Sequence, residues 1–427
     1  MRVGVLLALP LVLVLSARPG RAQLDPFEGS LDQDAIQYRR ARLKDPVELL
    51  QQRIDRGEVR LEFSEKLGYL PSLLKSLTVP ISSQTLVFSK TSFQIRRISP
   101  ERPRAIYFND NVYVGFVQRG DVLELSSIDP VRGAIFYTLA QRRVDKPSFV
   151  RRLDDCLQCH VTLNTMRVPG NLVRSVYPDP MGEPLLEAGS FLTDHRSPLS
   201  ERWGGWYVTG THGAQRHMGN VVVKNARRPD RLDTAAGANV MDLKGRVNTA
   251  PYLSPHSDLV ALMVLEHQTR IHTLITRVGY EARVARSDTT GWIDRAVDVL
   301  LRYLLFADET HLTEPVQGSS NFREEFEALG PKDHQGRSLR QMDLARRMFK
   351  YPCSFLIYSE VFDELPAVAK EPLYRRLWEV LSGQDQSQGF ATLSATDRLA
   401  ILEILIDTKP GLPDYFRTAK HPALARP

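Results

Sequence analysis

The chain has 427 residues, 42% of them hydrophobic and 25% charged, an ordinary balance that excludes a disordered or fibrous protein and can supply a large core. Its formal net charge of +6 falls to +3 without residues 1–22, which carry Arg2, Arg18 and Arg21 and no acid. Acids and bases are interspersed along the rest of the chain, so the composition does not indicate a nucleic-acid partner.

Residues 1–22 have the pattern of a signal peptide. A positive start at Arg2 precedes an apolar run over 3–15 that is shorter than a membrane-spanning helix needs. Small residues at 20 and 22 suit a cleavage site, so we expect cleavage before Gln23. An uncleaved anchor is the alternative. We expect a mature protein that is periplasmic or otherwise exported, soluble, and without an integral membrane segment.

Residues 23–82 are predicted to form a helical arm, with a helix over 32–56 divided at Pro46 and short helices over 65–77 around Pro71. Short segments rich in β-branched and aromatic residues then predict a β-rich region over 83–249. We expect its strands at 85–88, 92–95, 105–108, 112–117, 122–125, 134–137, 172–177, 185–192, 203–208 and 220–224. The turn at 178–182 should join two of these as a hairpin, and 225–249 should be loop.

Residues 250–427 are predicted to be mostly helical. We expect helices over 257–278, capped by Ser257 or Asp258, and over 293–306, 341–349, 365–381 and 395–406. The fold class is therefore α+β, with a helical arm, a β-rich middle and a mostly helical C-terminal region.

Residues 156–160 read Cys-Leu-Gln-Cys-His, the CxxCH pattern of covalent haem c attachment. Two thiols three positions apart can form thioethers with the vinyl groups on one porphyrin edge, and His160 can then ligate the iron as proximal ligand. A short helix over 154–163 is expected to carry the motif. Zinc would need a second Cys/His pair, whereas the third cysteine, Cys353, stands alone in an apolar run and is expected to be a buried free thiol. A redox dithiol is the other alternative for Cys156 and Cys159.

The distal iron ligand is not determined by adjacency to the motif. The segment 203–220 combines glycines and large aromatics with three candidate ligands, of which His217 is the first choice and Met218 and His212 are alternatives. His195 is a further candidate, and iron without a protein distal ligand remains open. A His/Met pair would raise the reduction potential relative to a His/His pair.

Two other groups of polar residues are candidates for parts of the haem site. On the helix predicted over 257–278, His267 and His272 are five positions apart and do not share a face, so they are a poor pair for one metal. With Glu266, they are expected to have a core or interdomain role, and a distal contact to the iron is the alternative. Four arginines bracket the haem motif and are either solvated or paired with haem propionates, namely Arg151, Arg152, Arg167 and Arg174.

Four segments carry a family resemblance: 103–110 (PRAIYFND), 156–160 (CLQCH), 203–220 and 350–354 (KYPCS). Together they resemble uncharacterised bacterial cytochrome c domain-containing proteins over most of the mature chain. The resemblance implies haem binding and electron transfer, and only Cys156, Cys159 and His160 carry over with a defined role. The first segment is also similar to parts of exported multihaem cytochromes, but this chain has one CxxCH.

The sequence thus predicts a monohaem c-type electron-transfer protein that meets a redox partner protein outside the cytoplasm. The single covalent haem c is the one cofactor expected. A haem enzyme with an open distal site, such as a peroxidase or small-oxyanion reductase, is the alternative, and a haem-based sensor or binding module is another. No catalytic residue is assigned by the sequence.

Overall fold

The computed structural model describes residues 30–285 and 290–418. The expected signal peptide and its cleavage site before Gln23 lie outside the described residues. Within them, helices are combined with a large antiparallel sheet, which confirms the α+β class. No helix in the described part of the chain is long and apolar enough to cross a membrane.

A seven-stranded antiparallel sheet forms the centre of the β-rich region. Its strands are β1 (Thr85–Val87), β2 (Arg104–Phe108), β3 (Val112–Phe116), β4 (Val122–Asp129), β5 (Gly133–Ala140), β6 (Phe149–Arg151) and β9 (Trp206–Tyr207). They lie side by side in the order β6-β5-β4-β3-β2-β1-β9. Two small sheets pair β7 (Arg174–Val176) with β8 (Ser190–Leu192), and β10 (Gly210–Thr211) with β11 (Gln317–Gly318).

Ten α-helices lie in the described ranges, and most of them come after the large sheet in chain order. They are α1 (Pro46–Asp55), α2 (Leu70–Ser76), α3 (Asp154–His160), α4 (Leu259–Val284), α5 (Thr290–Leu304), α6 (Phe322–Ala328), α7 (Glu360–Asp363), α8 (Ala367–Leu381), α9 (Ala395–Thr408) and α10 (Tyr415–Thr418). The longest, α4, is capped by Asp258, whose side chain accepts hydrogen bonds from the backbone N–H groups of Val260 and Ala261.

The two faces of the large sheet pack against different helices, because successive side chains of a strand point to opposite sides. On one face, Asp45 at the start of α1 accepts a 2.7 Å hydrogen bond from the Tyr137 hydroxyl. We call the other face the site face, defined by two rows of directly opposed residues on β3, β4 and β5: Tyr113, Ser126 and Phe136, and next to them Gly115, Glu124 and Thr138.

Helix α4 packs on the site face and is buried along nearly its whole length. The Tyr113 hydroxyl lies 3.1 Å from His272 Nδ1 and 2.9 Å from Gln268 Nε2, both on α4. The apolar side chains of the sheet, of α4 and of the later helices form one continuous buried cluster that extends from Ile36 to Phe416. The haem motif is therefore attached to a core shared by the N-terminal and C-terminal parts of the chain.

Three expected helical regions differ from the structure. Of the short helices expected over 65–77, only Leu70–Ser76 forms. Only Pro46–Asp55 of the range 32–56 is an α-helix, because Asp45 caps it there and Pro46 takes the first helical position. The range 341–349 contains no α-helix. Leu344 adopts a left-handed backbone with φ of 58°, and Met342 bridges to Phe349 across the resulting turn.

Two expected strands are also wrong, and the strand expected over 185–192 forms only at Ser190–Leu192, after a 3₁₀ turn at Leu186–Ala188. The segment 92–95 is irregular and leads into a 3₁₀ turn. The side chains of Ser92 and Gln94 form hydrogen bonds with Glu124, and these bonds compete with the backbone pairing that a strand would need. The segment 220–224 is not a strand either. Asn220 has a φ of 68°, and its amide side chain forms the hydrogen bonds to Val208 that a strand backbone would otherwise make. The loop expected over 225–249 is confirmed.

Candidate haem-attachment site

The motif lies on the short helix α3, which ends at His160. Asp154 and Asp155 occupy its first turn, where carboxylates favour the positive end of the helix dipole. Cys156 and Cys159 are three positions apart on this helix, the spacing that brings two side chains to neighbouring positions on its surface. Both thiols are free; Cys156 is partly buried and Cys159 is exposed.

His160 is held by a reciprocal pair of hydrogen bonds with Gly170. Its Nδ1 lies 2.9 Å from the Gly170 carbonyl oxygen, which can only accept, so Nδ1 carries the proton. The Gly170 N–H donates in return to the His160 carbonyl at 3.1 Å. In a neutral imidazole with the proton on Nδ1, Nε2 carries the lone pair that binds a metal. Burial lowers the pKa of His160, which favours this neutral form.

The chain returns from His160 to Gly170 through an unusual backbone. Met166 and Arg167 have φ values of 56° and 59°, so two successive left-handed residues reverse its direction. Thr165 Oγ1 donates to the His160 carbonyl at 3.1 Å inside this turn. The ring of His160 packs on Phe136 of the site face, with 4.6 Å between ring centroids. The sheet, through Phe136, and the loop that follows the motif thus both hold the imidazole in position.

Helix α4 closes the outer side of this arrangement at Gly170. A Cβ at position 170 would lie 2.4 Å from Thr273 Oγ1, so only glycine fits at this approach. The neighbouring carbonyl of Pro169 accepts a 3.4 Å bond from the N–H of Ala134 on β5. The group that orients His160 is therefore clamped between α4 and the sheet.

Replacing Gly170 by alanine should destabilise the protein by about 1–3 kcal/mol, because the added methyl group overpacks against Thr273. Urea unfolding of the full exported chain measures this change. The double variant Gly170→Ala, Thr273→Ala is the control, since removal of the Thr273 hydroxyl clears most of the space. Parent-like unfolding of Gly170→Ala alone would show that α4 does not clamp this loop.

Two charged residues of the sheet lie beside the motif. Arg104 on β2 and Glu124 on β4 form an ion pair of 3.0 Å. The positive charge of Arg104 lowers the pKa of His160, and the negative charge of Glu124 raises it. Burial is the main reason that the pKa of Cys156 rises to about 11, and Glu124 adds to this effect.

Zinc is a poor fit to the cysteines. Cys353 is fully buried, as expected from its apolar surroundings, and burial holds its pKa far above the ordinary value. In the described residues no three His, Cys, Asp or Glu side chains converge on a point where they could hold a metal ion. A haem iron held by one protein imidazole does not require such a convergence. The donor set of one exposed thiol, one partly buried thiol and one oriented imidazole fits haem c.

The structure brings His212 and His217 together, with 4.7 Å between their rings, and places Trp203 5.4 Å from His217. His217 Nδ1 accepts the N–H of Gly219 at 2.9 Å, so its proton sits on Nε2. His212 Nε2 accepts the N–H of Asn239 at 3.1 Å. Neither ring presents an unused lone pair in this arrangement. For His217 to bind iron through Nδ1, the ring would have to give up its hydrogen bond with the Gly219 N–H.

Met218 and His195 are the remaining distal candidates. The sulfur of Met218 lies 3.7 Å from the Ser175 hydroxyl, and the side chain is buried. His195 Nδ1 lies 2.9 Å from His267 Nδ1, and His267 Nε2 lies 2.7 Å from Ser354 Oγ. His195 Nε2 is buried without a hydrogen-bond partner among the described residues, so this candidate retains an unused ring nitrogen.

The expected separation of His267 and His272 on α4 is confirmed by their contacts. His267 points toward His195 and the ring of Phe306, whereas His272 points toward the sheet at Tyr113. Burial lowers the pKa of each to about 3, so both are neutral. These contacts agree with a core role for the two residues.

The four bracketing arginines have different surroundings. Arg151 donates to the Tyr38 carbonyl and lies over the Tyr38 ring, which places it away from the site face. Arg152 pairs with Asp155 at 2.6 Å and lies 5.1 Å from the ring of Phe93. In the described part of the chain, Arg174 Nε is buried and has no hydrogen-bond partner.

Sequence reasoning missed Gly170, Arg104 and Glu124 as parts of the site. Glu124 interrupts an apolar strand, and a lone acid in such a run is a signal that it has a partner. Arg104 lies far from the motif in sequence and is brought to it only by the strand register.

Comparisons with known proteins identify no matching family model, no similar curated protein and no similar solved structure. The interpretation of the site therefore depends on its own residues and geometry.

Proposed function

We propose that this chain carries one covalently attached haem c and serves as an electron-transfer protein outside the cytoplasm. Cys156 and Cys159 would hold the porphyrin through thioethers, and His160 would ligate the iron. The observation that carries the proposal is the reciprocal hydrogen bonding of His160 with Gly170, which orients the imidazole and leaves Nε2 for a metal. Haem supplies a one-electron ferric/ferrous couple when bound.

The chain's own residues would orient the iron ligand and limit water access to it. Gly170 fixes the tautomer of His160, Phe136 supports one face of its ring, and Thr273 of α4 keeps the supporting loop in place. A ligand whose geometry does not change between oxidation states lowers the reorganisation that accompanies electron transfer. We further propose a redox partner protein, export by the N-terminal signal, and membership of the cytochrome c domain-containing proteins that the sequence resembles.

A second candidate function is a haem enzyme or sensor with an open distal site. The hydrogen bonding of the imidazoles favours it, because His212 and His217 both use their lone pairs on backbone N–H groups. An open coordination position is what substrate or ligand binding at a haem requires.

Spectra of the haem-loaded protein distinguish the two functions. An electron carrier with a protein distal ligand should be six-coordinate and low-spin in both oxidation states and should bind carbon monoxide or cyanide slowly. Replacing His217 by alanine should then produce high-spin haem that binds both ligands, if His217 is the distal ligand. Met218→Ala, His212→Ala and His195→Ala are matched variants, and the assignment moves to whichever of them changes the spin state.

High-spin haem in the parent protein, with rapid carbon monoxide binding unaltered by all four substitutions, would support the enzyme or sensor instead. Reversible cycling between ferric and ferrous forms, with exchange of electrons with a small redox protein, would support the carrier.

A further inference from the structure

The ion pair of Arg104 and Glu124 is built into the site face beside the haem motif. The Glu124 carboxylate accepts hydrogen bonds from Arg104 at 3.0 Å, from Gln94 Nε2 at 2.9 Å and from the Ser92 hydroxyl at 3.2 Å. The side chains of Arg104 and Glu124 are only 19% and 17% exposed. Three polar partners therefore hold the Glu124 carboxylate in place, and solvent reaches little of it.

The sheet makes room for the pair at Gly115. Glycine lies directly opposite Glu124 on β3, and a Cβ there would be 3.5 Å from Glu124 Cβ and 3.6 Å from Arg104 Cδ. The guanidinium of Arg104 therefore crosses the strand at the position that has no side chain. A larger side chain at position 115 would fill the space in which Arg104 of β2 reaches Glu124 of β4.

The pair is a neighbour of His160. Glu124 is two residues from Ser126, which lies opposite Phe136, and Phe136 supports the His160 ring at 4.6 Å. Glu124 and Phe136 are therefore diagonal neighbours on the same face, within reach of one residue lying above them.

We propose that Glu124 and Arg104 set the reduction potential of the haem held by His160, with the carboxylate favouring the ferric form and the guanidinium favouring the ferrous form. This inference depends on the proposed haem attachment. Ferric haem carries one more positive charge than ferrous haem, so a nearby negative charge stabilises it and a nearby positive charge opposes it. Because both side chains are largely buried, solvent screens their fields less than it would at the surface.

The test uses the full exported chain matured with haem and measures its midpoint potential by spectroelectrochemical titration. Glu124→Gln should make reduction more favourable, by roughly tenfold in the equilibrium constant for a charge about 10 Å away at an effective dielectric of about 20. Arg104→Met should change it by a similar factor in the opposite direction. The double variant should lie near the parent.

Asp121→Asn is the matched control, because Asp121 pairs with Arg97 at the same end of the sheet but is 78% exposed. It should leave the potential nearly unchanged, since solvent screens an exposed charge. Shifts of the same sign in Glu124→Gln and Arg104→Met would show a purely structural effect and overturn the proposal, as would shifts no larger than that of Asp121→Asn. Absence of covalent haem from the parent chain would instead refute the proposed function, so the two failures are distinguishable.

Discussion

Replacing Cys156 and Cys159 together by alanine should abolish covalent haem attachment. Thioethers survive acid-acetone extraction and denaturing electrophoresis, so the parent protein should keep its haem stain under both treatments, and the double variant should lose it completely. Each single variant should retain at most one thioether. Soluble yield of the double variant should also fall, because a ligand that binds only the native state stabilises that state.

Cys353→Ala is the control for this experiment. Cys353 is fully buried and takes no part in the motif, so its replacement should leave the haem stain intact while costing some stability through a small cavity. Loss of the stain from the parent chain after denaturation would contradict the central proposal. Retention of the stain in the Cys156→Ala, Cys159→Ala variant would contradict the assigned attachment sites.

Replacing Arg202 by methionine should destabilise the protein by about 3–5 kcal/mol at pH 8, because it leaves the Glu266 carboxylate buried without its counter-charge. The two side chains are 3% and 0% exposed and lie 3.2 Å apart. Arg202 also donates to the carbonyls of His195 and Ser197, and these bonds would be lost as well. Urea unfolding of the parent and variant measures the difference.

The cost should depend on pH in a defined direction. Burial raises the pKa of Glu266 to about 7, above its ordinary value of 4.5, so the folded state holds this proton more tightly than the unfolded state. The stabilising effect of the proton is fully present below about pH 4.5 and is lost as pH rises through 7. Loss of Arg202 removes the charge that opposes this rise, so the variant should lose more stability at pH 8 than at pH 5.

Glu266→Gln is the control for the charge. It cannot ionise, so its stability should not show the fall between pH 4.5 and 7, and Arg202→Met should cost less in its presence than in the parent. A penalty of equal size at pH 5 and pH 8 would show that Arg202 acts through packing and carbonyl contacts alone.

The strands of the large sheet were largely predictable, because their β-branched and aromatic runs are separated by clear turn residues. The strand β4 and its neighbour β5 extend beyond the predicted segments, while the segment 92–95 is not a strand. Its alternating apolar residues give the pattern of a strand, but the side chains of Ser92 and Gln94 bond to Glu124. Long-range partners of this kind leave no local signal in the sequence.

The proposed attachment residues have a local signal for the opposite reason, since covalent chemistry with one porphyrin edge would require a fixed spacing within five residues. The support of His160 was not, because Gly170 reaches it only through the left-handed turn at Met166 and Arg167. The distal side was the hardest to predict. A Gly- and His-rich segment indicates close packing, yet the same imidazoles bond to Gly219 and Asn239, whose positions depend on loop conformations that no periodicity encodes.

The position of α4 has a consequence for the biogenesis of the protein. A chain is synthesised from its N-terminus, so β1 to β6 and the motif on α3 emerge before α4, which supplies Thr273 above Gly170. At that stage no helix covers the loop between His160 and Gly170, and the finished core does not yet surround the Cys156 thiol. In the proposed haem protein, an attachment enzyme would reach both thiols in this open intermediate, and α4 would then pack over the loop after the cofactor is bonded to the chain.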